Sequence, residues 1–172
     1  NLTPIITDKY SALTKHHLRI EDLVNLCGGI PSVGISDLKA EINTTSEETV
    51  HVRIFTDLYE VVRSIDFELG FIENSFMLVY KPGQSIGTNL FLNQVRAARS
   101  RKLIKLRTFA RATEEYDDLE WGGYYCWGRL GYEMRHDEHS KFQDWLLNFG
   151  RSETKLNELL ATKVGCELWR KH

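Results

Sequence analysis

The fold is decided by residues 75–109, which read SFMLVYKPGQSIGTNLFLNQVRAARSRKLIKLRTF. This stretch begins with a compact apolar run at 75–80 and continues through a loop that contains Lys, Pro and Gly. Apolar residues then recur at helical spacing up to residue 100, and an imperfectly alternating segment follows at 103–108. A strand, a helix and a second strand in this order predict a right-handed crossover between two parallel strands. The stretch therefore predicts an α/β fold.

The segments around this crossover extend the prediction to the whole chain. Residues 49–58 and 61–69 alternate apolar and polar side chains, as strands do. Residues 1–30 look helical, and a second, amphipathic helical segment is expected at about 141–161. The expected fold is one α/β domain over residues 1–172, with a mixed, twisted sheet and helices on both of its faces.

Composition and charge exclude several classes of protein. The 172 residues include 22 Lys and Arg against 24 Asp and Glu, which lacks the basic excess of a general nucleic-acid binder. The apolar runs are far shorter than the roughly 20 residues that cross a bilayer, so we expect no membrane contact. Because no signal-peptide pattern is seen, the sequence predicts a cytoplasmic protein. The cysteines, Cys27, Cys126 and Cys166, are too widely spaced for a Cys-x-x-Cys metal site, so we expect buried thiols and no metal.

The loop before the central helix has the composition of an anion site. Residues 83–89, GQSIGTN, lead from a strand into a helix. The first amides of a helix have no partner within it, and together with the positive end of the helix dipole they bind phosphate groups. Gly87 would let the backbone approach such a ligand closely. The alternative interpretation is an ordinary strand-to-helix turn, with Gly83 as a turn residue and Thr88 as a cap.

This loop resembles the acetyl-CoA-binding motif of the GNAT acetyltransferase superfamily. That motif runs Gln or Arg, any two residues, Gly, any residue, then Gly or Ala, and residues 84–88 match its first five positions. Asn89 stands where Gly or Ala is usual. The resemblance implies a sheet split around an acyl-CoA cleft, with acetyl-CoA or another acyl-CoA as the cosubstrate. It also implies that the pyrophosphate is bound by Gln84, Ser85, Ile86, Gly87, Thr88 and Asn89.

A second block, residues 121–133, is similar to a late segment of the same family. Its sequence is WGGYYCWGRLGYE, and its Leu-Gly-Tyr end fits the Leu-Gly-Phe of the family. In the family, a Tyr of this segment can protonate the departing thiolate, which makes Tyr124 and Tyr125 the candidate acids. Trp127 occupies the register position of that Tyr. The alternative interpretation is an aromatic helix face packed in the core.

Transfer of an acetyl group to an amine needs a base for the ammonium proton and a donor for the carbonyl oxygen. Carboxylates on the central strands are the natural base, and family analogy favours Glu68 or Glu73. Each also has an alternative interpretation, as an outward strand residue or a charge at a hairpin end. A strand amide near Leu78 or Val79 would polarise the thioester carbonyl. The sequence thus predicts an N-acetyltransferase that works by direct attack in a ternary complex.

Two other functions stay open at this point. Asn89 and Trp127 depart from the family pattern, so one alternative is a GNAT-like domain that has lost catalysis and serves as a binding or assembly module. The other is a nucleic-acid-binding α/β domain that uses the basic residues from Arg96 to Arg111, although aromatic residues are scarce among them, with Phe109 the single one. The acceptor is predicted to be a small-molecule or peptide amine, and the sequence leaves a homodimer open.

Overall fold

The computed structural model describes residues 2–6, 15–29, 38–80, 84–108, 127–128 and 130–171. The chain divides into two compact units, Asn1–Phe109 and Ala110–His172. Each unit contains its own cluster of buried apolar side chains. The single domain expected from the sequence stays a prediction.

A mixed six-stranded sheet forms the first unit, and its strands lie side by side in the order of the chain. The strands are β1 (Leu2–Ile6), β2 (Leu38–Thr44), β3 (Thr49–Phe55), β4 (Tyr59–Asp66), β5 (Phe71–Val79) and β6 (Lys105–Thr108). Strands β2 to β5 are antiparallel neighbours, whereas β1 pairs in parallel with β2, and β6 pairs in parallel with β5. The parallel pair predicted at the central crossover is therefore confirmed.

Two helices, α1 (Ile20–Leu26) and α2 (Ile86–Ser100), pack on one face of this sheet. Side chains alternate along each strand, and the buried ones lie opposite one another, as Ile54 does between Ala40 and Val61. These apolar strand residues form one cluster with the inward side chains of both helices, so their burial favours folding of this unit. The predicted α/β class is confirmed, while helices on the second face of the sheet stay a prediction.

The amino-terminal residues do not form the helical segment that the sequence predicts over residues 1–30. Leu2–Ile6 is a strand, so this part of the prediction is wrong, and helix α1 begins only at Ile20. β-branched residues are frequent in this strand, and Pro4 lacks an amide hydrogen, which suits a strand at the end of a sheet. After α1, Gly28 has a positive φ of 118°, and a Cβ there would lie 2.7 Å from the Leu90 carbonyl oxygen. Glycine therefore allows α1 to end close against α2.

The described part of the second unit is helical. Its helices are α3 (His136–Asn148), α4 (Leu156–Leu160) and α5 (Lys163–Lys171). The helical segment predicted at about 141–161 is confirmed, with a break at Gly150, where φ is 63°. It begins earlier than predicted because the first turn of α3 is polar and exposed and shows no apolar periodicity. The buried cluster of this unit consists of Phe142, Leu146, Leu156, Leu159 and Leu160.

None of the helices in the described ranges combines the length and the apolar character that crossing a bilayer requires. The longest of them, α2, has 15 residues.

Candidate functional site

The start of α2 has the features of an anion-binding helix terminus. Its N-cap residue, Ser85, adopts left-handed backbone angles (φ 56°, ψ 17°), and its side chain makes no capping hydrogen bond to a described residue. The first turn of α2 contains no acidic residue, whereas α1 carries Asp22 in its first turn. Asn89 is the first residue of α2 whose amide bonds back to Ser85, at 2.9 Å from its carbonyl oxygen. The amides of residues 86–88 therefore have no acceptor within the helix, as an anion site requires.

The structure brings together the six loop residues that the sequence predicts to bind pyrophosphate. Ile86 is 2% exposed and anchors the turn in the core. Gly87 is half-buried, and a Cβ there would lie 3.5 Å from Cε of Met77 and 3.7 Å from Cγ2 of Val79. The start of α2 therefore lies over the carboxyl-terminal half of β5. The exposed members of the loop are Gln84, Ser85, Thr88 and Asn89.

The two halves of β5 differ in their neighbours. Strand β6 pairs with residues 71–74 of β5 and ends at Thr108. The register between β4 and β5 shifts beside Val62 because Ser75 is an extra residue, which forms a β-bulge. Beyond this bulge, no strand of the described chain pairs with residues 75–79 on the side of β6. The backbone groups on this side of β5 thus face no described strand.

The direction of each amide in this half of β5 follows from one hydrogen bond. Tyr80 donates its amide hydrogen to the Leu58 carbonyl oxygen at 2.9 Å, toward the side of β4. Backbone groups alternate in direction along a strand, so the Leu78 amide also points toward β4, while the amides of Met77 and Val79 point away from it. Of the two donors predicted from the sequence, the Val79 amide thus points away from β4 and the Leu78 amide points toward it, and both donors stay predictions. The Met77 amide, which the sequence did not single out, also points away from β4, since its direction follows from the pairing of the two strands.

Buried amide side chains fasten α2 to β5 at the bulge. Asn74 and Gln94 exchange two hydrogen bonds, at 3.1 and 2.9 Å, and both side chains are 1% exposed. Gln94 also donates to the Leu26 carbonyl oxygen at the end of α1, at 3.1 Å. Since a buried polar group is stable only when its hydrogen bonds are made, this arrangement fixes α2 in one position over the strand.

The two candidate bases lie in different environments. Glu73 is half-buried in β5, opposite Ser64 of β4 and Arg107 of β6, on the face of the sheet away from α2. Glu68 was expected on a central strand, but it lies exposed in the turn between β4 and β5. The strand ends earlier than predicted because the Asp66 carboxylate accepts a hydrogen bond from a turn amide at 2.7 Å. The structure therefore favours Glu73 over Glu68.

The candidate acids Tyr124 and Tyr125 lie outside the described residues. Trp127, which takes the family's Tyr position, is described: it is 7% exposed and meets Tyr132 edge to face, with ring centroids 5.2 Å apart. An edge-to-face pair of this kind is typical of aromatic packing in a core. For Trp127, the core interpretation is therefore confirmed.

A buried thiol, Cys27, lies in the core of the first unit. Burial raises the pKa of the Cys27 thiol to about 12, and the nearby Arg63 guanidinium offsets part of this effect. The Cys27 thiol is therefore protonated at neutral pH, in which form it is a poor nucleophile. Within the ranges that the structure describes, no group of three or more His, Cys, Asp or Glu side chains could hold a metal ion.

Comparisons with known proteins found no match to this chain. No protein-family model matches the chain, and neither a curated protein nor a solved structure matches it.

Proposed function

We propose that this chain is an N-acyltransferase of the GNAT type, which transfers an acetyl or similar acyl group from acyl-CoA to an amine. The observation that supports the proposal is the position of the uncapped start of α2 over the half of β5 that lacks a described strand partner on one side. The amides at the start of α2, which would bind phosphate, therefore lie close to the β5 amides that point away from β4. An acyl-CoA offers a matching pair of groups, a diphosphate and a thioester carbonyl.

The start of α2 supports the diphosphate end of this ligand. Its free amides and the helix dipole favour a negative charge, and a hydrogen bond to a charged group contributes about 1.5–3 kcal/mol. Residues 74–113 contain no Asp or Glu, so this part of the chain supplies no carboxylate that would repel the phosphates. A Cβ at Gly87 would lie at ordinary contact distance from Met77 and Val79, so only a larger or charged side chain is expected to disturb this turn.

The residues of β5 support the acyl end. Acetyl-CoA supplies an acyl group that is activated by its thiolate leaving group. In the transfer, the amine nitrogen forms a bond to the acyl carbon, the carbon–sulfur bond breaks, and sulfur keeps the electron pair. We assign Glu73 to accept the proton of the amine, a β5 amide that points away from β4 (Met77 or Val79) to the carbonyl oxygen, and Tyr124 or Tyr125 to protonate the thiolate.

The acceptor in this proposal is a small-molecule or peptide amine. Glu73 lies on the face of the sheet away from α2, so the amine would approach from that face. The same face is polar, because Arg53 stands between Glu41 and Glu60 at 3.6 and 2.8 Å. A polar face suits an acceptor that carries a positive charge before its proton is removed.

A titration with acetyl-CoA and with CoA tests the proposal. Gly87→Glu places a carboxylate among the free amides, and we expect it to weaken binding of both ligands by more than about tenfold. Gly87→Ala is the matched control: its Cβ would lie at ordinary contact distance from Met77 and Val79, so binding should change little. Calorimetry gives the dissociation constants, and circular dichroism checks that both variants fold.

Three results would contradict this assignment. Equal binding by Gly87→Glu and the wild-type protein would remove the site from the start of α2. Absence of binding to the wild-type protein at millimolar acetyl-CoA would overturn the proposed function. Binding without transfer to any member of a panel of amines would favour the non-catalytic binding module instead.

A further inference from the structure

A buried arginine lies beside the bulge of β5. Arg63 of β4 is 2% exposed and occupies a core position between the buried residues Val61 and Ile65. A guanidinium at such a position costs free energy unless its donors are satisfied, so its presence calls for a physical reason. The buried polar side chains that the structure describes are neighbours beside the bulge. Arg63 lies opposite Asn74 in the sheet, and Asn74 binds Gln94.

The hydrogen bonds of Arg63 explain why the bulge holds its shape. Its Nη1 donates to the carbonyl oxygen of Val62 at 3.0 Å and to that of Phe76 at 2.5 Å. Val62 and Phe76 are register partners immediately beyond the bulge. One guanidinium therefore fastens both strands at the point where their register shifts.

The bond to Phe76 also fixes a neighbouring donor. The Phe76 carbonyl and the Met77 amide belong to one planar trans peptide group, in which the C=O and N–H bonds point in opposite directions. Because Arg63 holds the Phe76 oxygen toward β4, the Met77 N–H points to the other side. On that side no described strand pairs with β5, and the Met77 side chain lies beneath Gly87 at the start of α2.

We propose that Arg63 is a positioning residue that holds the peptide between Phe76 and Met77, so that the Met77 amide donates to the thioester carbonyl of the bound acyl-CoA. This inference rests on the proposed function and deepens it by naming the donor and the group that orients it. A donor that is oriented before the ligand binds stabilises developing negative charge without reorganisation. Arg63 itself stays in the core and touches no substrate.

The test uses the full chain and acetyl-CoA labelled with carbon-13 at the acetyl carbonyl. A hydrogen bond to the carbonyl moves its resonance downfield, and we expect this shift in the wild-type complex. Arg63→Lys keeps the charge but loses the planar fork of donors. It should return the resonance at least halfway to its free position while changing the dissociation constant of CoA less than about threefold. Arg53→Lys, the same exchange at an exposed arginine, should leave the resonance unchanged.

A second measurement needs no variant and covers the case in which Arg63→Lys does not fold. With nitrogen-15-labelled wild-type protein, the Met77 amide proton should shift between the CoA and the acetyl-CoA complexes, while that of Leu78 should not. An unshifted Met77 amide, or an identical carbonyl resonance in folded Arg63→Lys, would overturn the inference and leave the proposed function intact. Absence of acetyl-CoA binding to the wild-type protein would overturn both.

Discussion

The two halves of β5 are parts of one strand, yet they have different surroundings. Residues 71–74 pair with β4 on one side and β6 on the other, and Asn74 is fastened to Gln94 of α2. Residues 76–79 pair with β4 alone among the described strands, and Met77 and Val79 lie beneath the start of α2. The change occurs at a single extra residue, Ser75. One inserted residue thus separates a part of the strand that stabilises the sheet from a part that can present backbone donors to a ligand.

The largest predicted effect is on the rate of acetyl transfer, when the proposed base Glu73 in the first half of β5 is removed. If Glu73 accepts the proton, Glu73→Gln should lower the rate of acetyl transfer to an amine by about 100-fold, since proton transfer by a positioned base contributes on that order. Glu68→Gln is the matched control and should leave the rate unchanged, because Glu68 is exposed in the turn before β5. A thiol-release assay measures both rates. Equal rates for Glu73→Gln and the wild-type protein would remove Glu73 from the mechanism.

The next effect is on the free energy of unfolding, through the buried amide pair that joins α2 to β5. Gln94→Leu removes two hydrogen bonds from the buried Asn74 amide and one from the Leu26 carbonyl, so we expect a loss of about 2 kcal/mol in the free energy of unfolding. Asn93→Leu, one position earlier on α2 and only half-buried, should change it by less than about 0.5 kcal/mol. Urea unfolding measures both. If the two variants are equally stable, the buried amide pair does not fasten α2 to the strand.

A third effect appears only at alkaline pH and concerns Cys27, in the core of the first unit. Burial raises the pKa of Cys27 from 9.0 to about 12, so above pH 9 the unfolded chain releases this proton while the folded chain keeps it. Stability should therefore fall as the pH rises from 9 toward 12, by about 1.4 kcal/mol per pH unit from this thiol. Below pH 9 both states keep the proton, and the thiol causes no pH dependence.

Comparison with Cys27→Ala isolates this contribution from that of other alkaline groups. The difference in unfolding free energy between the two proteins should be constant below pH 9 and should shrink above it. A difference that stays constant up to pH 11 would show that the thiol is accessible to solvent in the folded chain.

Local patterns in the sequence were sufficient to predict the central crossover. The helical spacing that ends at Ser100 and the alternation before Thr108 are properties of neighbouring residues, so α2 and β6 were found where they were expected. The loop at residues 84–89 was also found at the start of the helix, since glycine and small polar residues mark such turns locally. These elements depend little on distant parts of the chain.

The bulge could not be predicted in the same way. The buried alternation of β4 runs through Tyr59, Val61, Arg63 and Ile65, and a charged residue at a core position hides that pattern. The alternation expected over residues 61–69 is therefore interrupted at Arg63. An arginine amid the apolar alternation of a strand was the signal that could have identified the bulge, because a buried guanidinium needs carbonyl partners that a regular ladder does not leave free.

A map of amide chemical shifts in the nitrogen-15-labelled protein during titration with acetyl-CoA distinguishes the two halves of β5. We expect the largest changes within β5 and α2 on residues 76–79 and 85–89, while residues 71–74 change little. Changes centred on residues 71–74, or spread evenly along β5 and α2, would contradict the division of the strand into a half that is paired on both sides and a half that presents backbone donors to acyl-CoA.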